Sequence, residues 1–222
     1  PSDHAQPPSG SMSQGQPPAG SMGGANTQSF DYTGSYTGAL TADGEEVRSD
    51  GNSVSATESD QNALLAKGGG TLVVTGASVD KSGDDNNGDN CNFYGLNSIA
   101  LSVGNGSLLK ISNSKLSATS EGSNGVFSTD SATAYVRDSS ITTSAGNSRG
   151  LDATYGGTIL ADTLDISTQG DHSAGVATDR GGGNISLTNS TIKTAGSGSP
   201  LLYSTGDIEL NNVTGSSSGS QI

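Results

Sequence analysis

One stretch of this sequence carries oxygen-bearing side chains at alternate positions, and it is the best candidate for a metal-binding site. Within residues 84–94, Asp85, Asn87 and Asp89 are each separated by one residue. Carboxylate and amide oxygens are the donors that Ca²⁺ prefers, although the glycine and the distant glutamate of an EF-hand loop are missing. The same composition is typical of a solvated turn-forming loop. The sequence therefore makes calcium the candidate cofactor, bound weakly by these three residues.

Residues that could cleave a polysaccharide are scattered along the chain. A glycosidase needs two carboxyl groups about 5–10 Å apart, and the candidate pair Asp130 and Asp152 occupies non-equivalent positions of the repeat described below. A lyase that uses an arginine or lysine base needs this base beside carboxylates. Arg137, Arg149 and Arg180 also fall at non-equivalent positions. We therefore expect no catalytic residues, and the chain is predicted not to be an enzyme.

Composition excludes several classes of partner. The 222 residues include 22 acidic and 9 basic side chains, which gives a formal net charge of -13. Such a chain repels nucleic acid and anionic lipid. No apolar run approaches the roughly 18 residues that a membrane-spanning helix requires, so direct membrane insertion is not expected. The single cysteine, Cys91, has no intrachain disulfide partner, and the sequence assigns it no role.

A repeat of about 25 residues organises most of the chain, and such a period is typical of a solenoid. The repeat is clearest where three small-apolar or aliphatic residues are each followed by a similar residue 25 positions later (126 and 151, 134 and 159, 141 and 166). Four rows of such residues result. The first row is Leu64, Leu101, Val126, Leu151, Val176 and Leu201; the second is Leu72, Leu109, Ala134, Ile159, Ile185 and Ile208; the third is Val74, Ile111, Val136, Ala161, Leu187 and Leu210; the fourth is Val79, Leu116, Ile141, Ile166 and Ile192.

The spacing within one repeat predicts strands joined by corners. The second and third rows are two residues apart, so both face one side of a strand. Turn-forming residues separate the third row from the fourth: Asn113, Asp138, Asn189 and Asn212. The prediction is an all-β, right-handed, single-stranded parallel β-helix with about six regular turns of 23–26 residues. The handedness follows from the general rule for parallel crossovers. A leucine-rich repeat has a similar period but a Leu-rich template that is absent here.

Three segments follow from this pattern. Residues 1–29 form a Pro/Gly/Ser-rich, low-complexity tether or, as the alternative, an ordered arm that docks on the solenoid or on a neighbour. Residues 30–61 form an irregular N-terminal cap with a degenerate first rung, and residues 62–222 form the β-helix, with an acidic insert at 84–95. Terminal repeats of solenoids are commonly atypical. No polar capping repeat precedes Ile222, so we expect either a part of a longer protein or a subunit that stacks end to end.

Outward positions of the repeat suggest a contact face. Phe127, Leu202, Tyr135 and Leu160 are apolar residues predicted to point out of the solenoid, where they would form a partner or ligand face. The alternative is that the tether, the insert or scattered exposure accounts for them. Arg137 and Asp162 occupy equivalent positions of neighbouring turns, and so do Tyr135 and Leu160. The two charged residues are expected to form a weak surface ion pair.

Several turns resemble a known family. The stretches Asn62-Ala-Leu-Leu-Ala, Ser123-Asn-Gly-Val-Phe-Ser, Asp179-Arg-Gly-Gly-Gly-Asn and Gly198-Ser-Pro-Leu-Leu-Tyr-Ser-Thr-Gly-Asp resemble adhesin-like right-handed β-helix proteins that anaerobic gut bacteria secrete or display. The chain is more distantly similar to clostridial carbohydrate-binding β-helix proteins and to the pectate-lyase-like superfamily. The resemblance implies an extracellular or cell-surface, non-catalytic attachment module.

Two functions from different classes remain open at this point. The first is an adhesion, display or structural module, which could self-assemble end to end into filaments by homotypic stacking. The second is a lectin-like β-helix that recognises a plant polysaccharide or a host surface glycan, with calcium bridging the charges of an acidic ligand. Retardation by an acidic polysaccharide that is sensitive to a chelator would favour the second.

Overall fold

The protein is a parallel β-solenoid, as the repeat predicts, and it has about seven turns where about six regular ones were expected. The structure, a computed structural model, describes residues 27–220; most of the predicted tether and the last two residues of the predicted β-helix lie outside this range. The first three turns have three strands each: β1 Gly38–Asp43, β2 Glu46–Asp50, β3 Ser53–Ala56, β4 Asn62–Lys67, β5 Thr71–Thr75, β6 Ser78–Lys81, β7 Ala100–Val103, β8 Leu108–Ser112 and β9 Lys115–Ala118.

The later four turns have a short strand followed by a long one that continues round a corner. These strands are β10 Val126–Thr129, β11 Thr133–Thr143, β12 Leu151–Ala153, β13 Gly157–Thr168, β14 Val176–Thr178, β15 Gly183–Thr194, β16 Leu202–Tyr203 and β17 Asp207–Ser217. The helix α1 Gly88–Tyr94 lies between turns 2 and 3, within the acidic insert. Residues 38–56, assigned above to the cap and a degenerate rung, supply the three strands of turn 1.

Equivalent strands stack into three faces around the core. Face A contains β1, β4, β7, β10, β12, β14 and β16, in that order. Face B contains β2, β5 and β8 with the first parts of β11, β13, β15 and β17, and face C contains β3, β6 and β9 with the second parts of those long strands. All of these pairings are parallel, so each turn presents its side chains directly above those of the turn before.

Aliphatic columns fill the tube between the faces. Val126, Leu151 and Val176 are in register on face A and are fully buried, as predicted. The predicted first row is wrong at its second member, because Ala100, and not Leu101, stands between Leu64 and Val126. The acidic insert shifts the spacing by one residue there, and Leu101 points to the outer side of face A instead. At the last turn the backbone of Leu202 is in register with Val176, yet Leu201 packs against the core, as predicted, and Leu202 is exposed.

The corner between faces B and C is a column of left-handed residues. Gly76, Asn113, Asp138, Thr163, Asn189 and Asn212 have φ between 49° and 63°. Asparagine and aspartate tolerate this region better than other non-glycine residues, because their short polar side chains bond locally. The corner predicted from the four Asx residues is therefore confirmed.

A column of buried serines satisfies the backbone at another corner, just before face A. The amides of Ser123, Ser148 and Ser173 each donate to the hydroxyl of the serine one turn further on, at 2.9 Å; those acceptors are Ser148, Ser173 and Ser199. Each hydroxyl also donates to a carbonyl two residues earlier, as Ser148 does to Gly146 at 2.8 Å. Each hydroxyl thus forms hydrogen bonds with backbone groups of two turns: it accepts from an amide of the preceding turn and donates to a carbonyl of its own turn.

Replacing Ser148 with alanine should lower the free energy of unfolding by about 1–2 kcal/mol, because the buried amide of Ser123 loses its acceptor. Urea denaturation followed by circular dichroism measures this change. The matched control is Ser117→Ala, a serine on the outer side of face C, which should change stability by less than about 0.5 kcal/mol. Equal effects of the two substitutions would contradict the role of the column.

Candidate functional site

The outer side of face A is covered by the chain itself. Residues 27–37 and α1, together called the covering layer, lie over it. Beneath them Leu65, Leu101, Val103 and Phe127 form an apolar cluster that is separate from the core, and Phe30 packs against it. Phe127 points outward, as predicted, but none of its surface is exposed. Its assignment to a partner or ligand face is therefore replaced by a contact within the chain.

Aromatic rings hold the covering layer together. Tyr94 stacks on Tyr155, with ring centroids 5.4 Å apart, and also on Tyr32, with ring centroids 5.2 Å apart. Phe30 contacts Tyr94 and Tyr155 edge-on. The Arg180 guanidinium lies 3.6 Å from the centroid of the Phe93 ring, a cation–π geometry. A residue before turn 1 therefore contacts turn 5 directly, and α1 contacts turn 6.

Side chains of the solenoid and of the N-terminal segment donate hydrogen bonds to the C-terminal carbonyls of α1. The last carbonyls of a helix have no partner within it. Here three of them accept hydrogen bonds from outside the helix: Cys91 from Asn124 at 3.2 Å, Phe93 from the Thr154 hydroxyl at 2.8 Å, and Tyr94 from the Tyr36 hydroxyl at 2.8 Å. The insert is consequently a docked element and not a free loop.

A buried carboxyl lies under this layer. Asp152 has no exposed surface, and neither of its oxygens accepts a hydrogen bond of normal geometry from the described residues. Burial raises the pKa of Asp152 well above its usual value, and the nearby Asp179 carboxylate adds to this shift. The Arg149 guanidinium, 3.7 Å away, and the Ala153 amide oppose it. Asp152, a candidate for polysaccharide cleavage, is thus sealed from any ligand at the surface.

The predicted calcium ligands have other roles in this arrangement. The Asn87 side chain caps α1, because its oxygen accepts hydrogen bonds from the amides of Asp89, at 3.0 Å, and Asn90, at 3.2 Å. Burial raises the pKa of Asp85. Between residues 27 and 220, no three His, Cys, Asp or Glu side chains are grouped to hold a metal ion. Calcium binding by Asp85, Asn87 and Asp89 stays a prediction, and it would compete with the helix cap.

Cys91 packs inside the same layer. It is fully buried, and its thiol donates to the Gly88 carbonyl at 3.2 Å. Burial raises the pKa of the Cys91 thiol, and the Asp85 carboxylate adds to the shift. A protonated, buried thiol is chemically inert. The structure therefore gives this residue a packing role.

The outer side of face B, in contrast, is open. A shallow groove of about 580 Å³ crosses it, and among its lining residues are Lys110, Tyr135, Arg137, Leu160 and Asp162. Tyr135 and Leu160 are in register on neighbouring turns and are 43% and 40% exposed. The structure thus brings together these two of the four predicted contact residues.

The fourth predicted contact residue, Leu202, lies elsewhere. It is 41% exposed on β16, which is the last strand of face A. It therefore takes no part in the groove.

The charged groups of the groove do not pair with one another. Arg137 lies 3.7 Å from the exposed Asp138 carboxylate. Asp162 accepts hydrogen bonds from the hydroxyls of Thr163, at 2.6 Å, and Thr188, at 2.7 Å, and these bonds lower its pKa. In the described part of the chain no ion pair joins Arg137 to Asp162, so the predicted pair does not form, although the two residues are in register.

The sequence analysis gave cover by the tether or the insert only as an alternative, although the aromatic residues indicate it. The chain has three Phe and six Tyr residues, and all but Tyr135 and Tyr203 lie in this layer or directly beneath it. Aromatic residues that gather on one side of a solenoid indicate a second apolar cluster there.

No helix of residues 27–220 has the length and apolar character needed to cross a membrane. Comparisons with protein-family models, with curated proteins and with solved structures found no match.

Proposed function

We propose that this chain is a non-catalytic extracellular module for adhesion or display, and that face B is its contact surface. The observation that supports this most directly is the contrast between two sides of the solenoid. The outer side of face A is occupied by the covering layer, whereas face B presents Tyr135 and Leu160 beside an open groove. An apolar patch with polar residues around it is typical of an interaction site.

The architecture suits such a role. Stacked turns give a flat surface whose side chains repeat in columns, so a solenoid can present a long, rigid contact area. In turns 2 to 6, outward positions of face B alternate with buried ones along the strand. An outward residue becomes a buried one only if the strand shifts its register. Substitutions on the outer side therefore alter contacts and leave the core intact.

A lectin-like function is the second candidate, and a specific observation favours it. The Tyr135 ring lies in the same groove as Lys110, Arg137 and Asp162. Ligand sites commonly combine apolar and aromatic surface with a few polar groups that fix orientation. A sugar, with an apolar ring face and peripheral hydroxyls, matches this combination.

The test compares two double variants of the full chain coated on beads. Tyr135→Asp with Leu160→Asp places two charges on face B, and Thr142→Asp with Ser167→Asp places two charges on face C of the same two turns. Bead attachment is measured on surfaces coated with the same chain and on immobilised neutral and acidic polysaccharides, with and without chelator.

We expect the wild type and the face C variant to attach, and the face B variant to attach at least about tenfold less, because a charge in the centre of a contact must be desolvated. Attachment of the face B variant at the wild-type level, or no attachment of the wild type to any surface, would contradict the proposal.

A further inference from the structure

We propose that the partner of face B is a second copy of the same chain, packed face to face with the two solenoids antiparallel. This inference rests on the proposed function and names the partner of that contact surface. It follows from how outward residues of face B are ordered along the solenoid.

Three outward columns cross turns 2 to 7 on face B, and the register of the strands fixes their order. The first column is Thr71, Leu108, Thr133, Thr158, Asn184 and Asp207. The second is Val73, Lys110, Tyr135, Leu160, Ser186 and Glu209. The third is Thr75, Ser112, Arg137, Asp162, Thr188 and Asn211.

A two-fold axis parallel to the strands, placed between turns 4 and 5, makes these columns self-complementary. Such an axis reverses the order of the turns and keeps each column opposite itself. Tyr135 then faces Leu160 of the second copy, and Arg137 faces Asp162 of the second copy. Because the interface is two-fold symmetric, each of these contacts occurs twice.

No like charges meet in this arrangement. Lys110 lies opposite Ser186, and the two acidic residues of turn 7, Asp207 and Glu209, lie opposite Thr71 and Val73. A two-fold axis along the solenoid would instead place Lys110 against Lys110 and Glu209 against Glu209, which is unfavourable. Charge therefore selects the antiparallel arrangement.

The surface also avoids most of the negative charge of the chain. The three columns carry two basic residues, Lys110 and Arg137, and three acidic ones, Asp162, Asp207 and Glu209, so their net charge is 2 - 3 = -1, against -13 for all 222 residues. Repulsion between two copies is thus small at this face.

The single chain leaves the required groups available. Tyr135 and Leu160 are both exposed. Arg137 and Asp162 are in register but do not bond to each other, and the Arg137 side chain is 69% exposed. The hydroxyls of Thr163 and Thr188 hold the Asp162 carboxylate in place, so less side-chain entropy is lost when it meets the second copy.

The size of the surface predicts a weak and reversible dimer. Five inter-turn spacings of about 4.8 Å and strands of about 16 Å give a patch of roughly 400 Å² per copy. Stable interfaces bury about 800 Å² per partner. Many weak contacts between two coated surfaces still give strong attachment, because each bound pair raises the effective concentration of the next.

Sedimentation velocity over a concentration series, with the full chain, tests this inference. The variants are Arg137→Asp, Asp162→Arg, their equimolar mixture, and the double variant with both changes. The wild type should show a reversible monomer–dimer equilibrium. Each single variant should dimerise about tenfold more weakly or worse, because it places two like charges opposite each other twice.

The mixture and the double variant should both recover wild-type association. In a mixed dimer the introduced carboxylate faces the introduced guanidinium, while the native Arg137 and Asp162 of the two copies face each other. In the double variant both pairs form with their signs exchanged. Circular dichroism confirms that each variant is folded, as expected for exposed positions.

Three results would overturn the inference: a wild type that is monomeric at all concentrations, single variants that dimerise like the wild type, or a mixture and a double variant that do not recover. A monomeric wild type that still attaches to polysaccharide through face B would leave the proposed function standing and make a glycan the partner. A monomeric wild type that attaches to nothing would remove both proposals.

Discussion

Replacing Gly150 with alanine should destabilise the solenoid by about 3 kcal/mol, at the upper end of the range for overpacking a core. A Cβ at this position would lie 2.5 Å from the Gly175 carbonyl oxygen on the next turn and also against the Ile166 methyl group. The carbonyl belongs to the backbone, so the clash is relieved only by separating two turns. Gly125 and Gly175 occupy equivalent positions with the same restriction.

The matched control is Gly88→Ala at the start of α1, where a Cβ would meet no atom within 4 Å. It should leave stability within about 0.5 kcal/mol of the wild type, or raise it slightly, since alanine favours a helix over glycine. Urea denaturation of the three proteins measures the difference. If Gly150→Ala and Gly88→Ala unfold at the same urea concentration, the prediction that the close approach of the turns excludes a Cβ at position 150 is wrong.

Replacing Asp152 with asparagine should stabilise the protein at neutral and alkaline pH and reduce its pH dependence. Burial raises the pKa of Asp152, so the folded chain holds this proton more tightly than the unfolded chain does. The stabilising contribution is complete below the usual aspartate pKa of about 4 and is lost as the pH rises through the raised pKa. Each unit by which the pKa is raised corresponds to about 1.4 kcal/mol.

Unfolding free energies at pH 5 and pH 8 measure this effect. The wild type should be less stable at pH 8 than at pH 5, and the Asp152→Asn variant should lose less over the same interval. Some dependence will remain, because burial also raises the pKa values of Asp85 and Asp179. The control Asp80→Asn, at an exposed position of face C, removes the same unit of net charge and should keep the wild-type slope. A variant at position 152 that follows the wild-type slope would show that Asp152 is ionised when folded.

The core was predictable because the features that form it are local in sequence and recur in every turn. Val126, Leu151 and Val176 occupy one column since each turn has nearly the same number of residues, and Asn113 or Asp138 marks each corner through its own backbone preference. Where the number changed, at the insert, the prediction slipped by one residue and placed Leu101 in the wrong row.

Only part of the candidate site was predictable. The outward direction of its side chains follows from the repeat, but whether they are covered depends on segments that do not belong to the repeat. Phe127 was correctly given an outward direction, but its cover includes Phe30, which is distant in sequence. The direction of Tyr135 and Leu160 follows from alternation along a strand, whereas their exposure depends on nothing lying over them. Arg137 and Asp162 are in register as expected, yet each side chain has a nearer partner within its own or the following turn.

The covering layer changes how far a disturbance spreads through the solenoid. A simple array of turns is coupled only between nearest neighbours, so it frays from either end one turn at a time. Here Phe30 contacts Tyr155, and α1 is held by Thr154 and Arg180. Detaching the covering layer therefore uncovers turns 5 and 6 in the same step, so a disturbance of this layer reaches those turns without passing through the turns between.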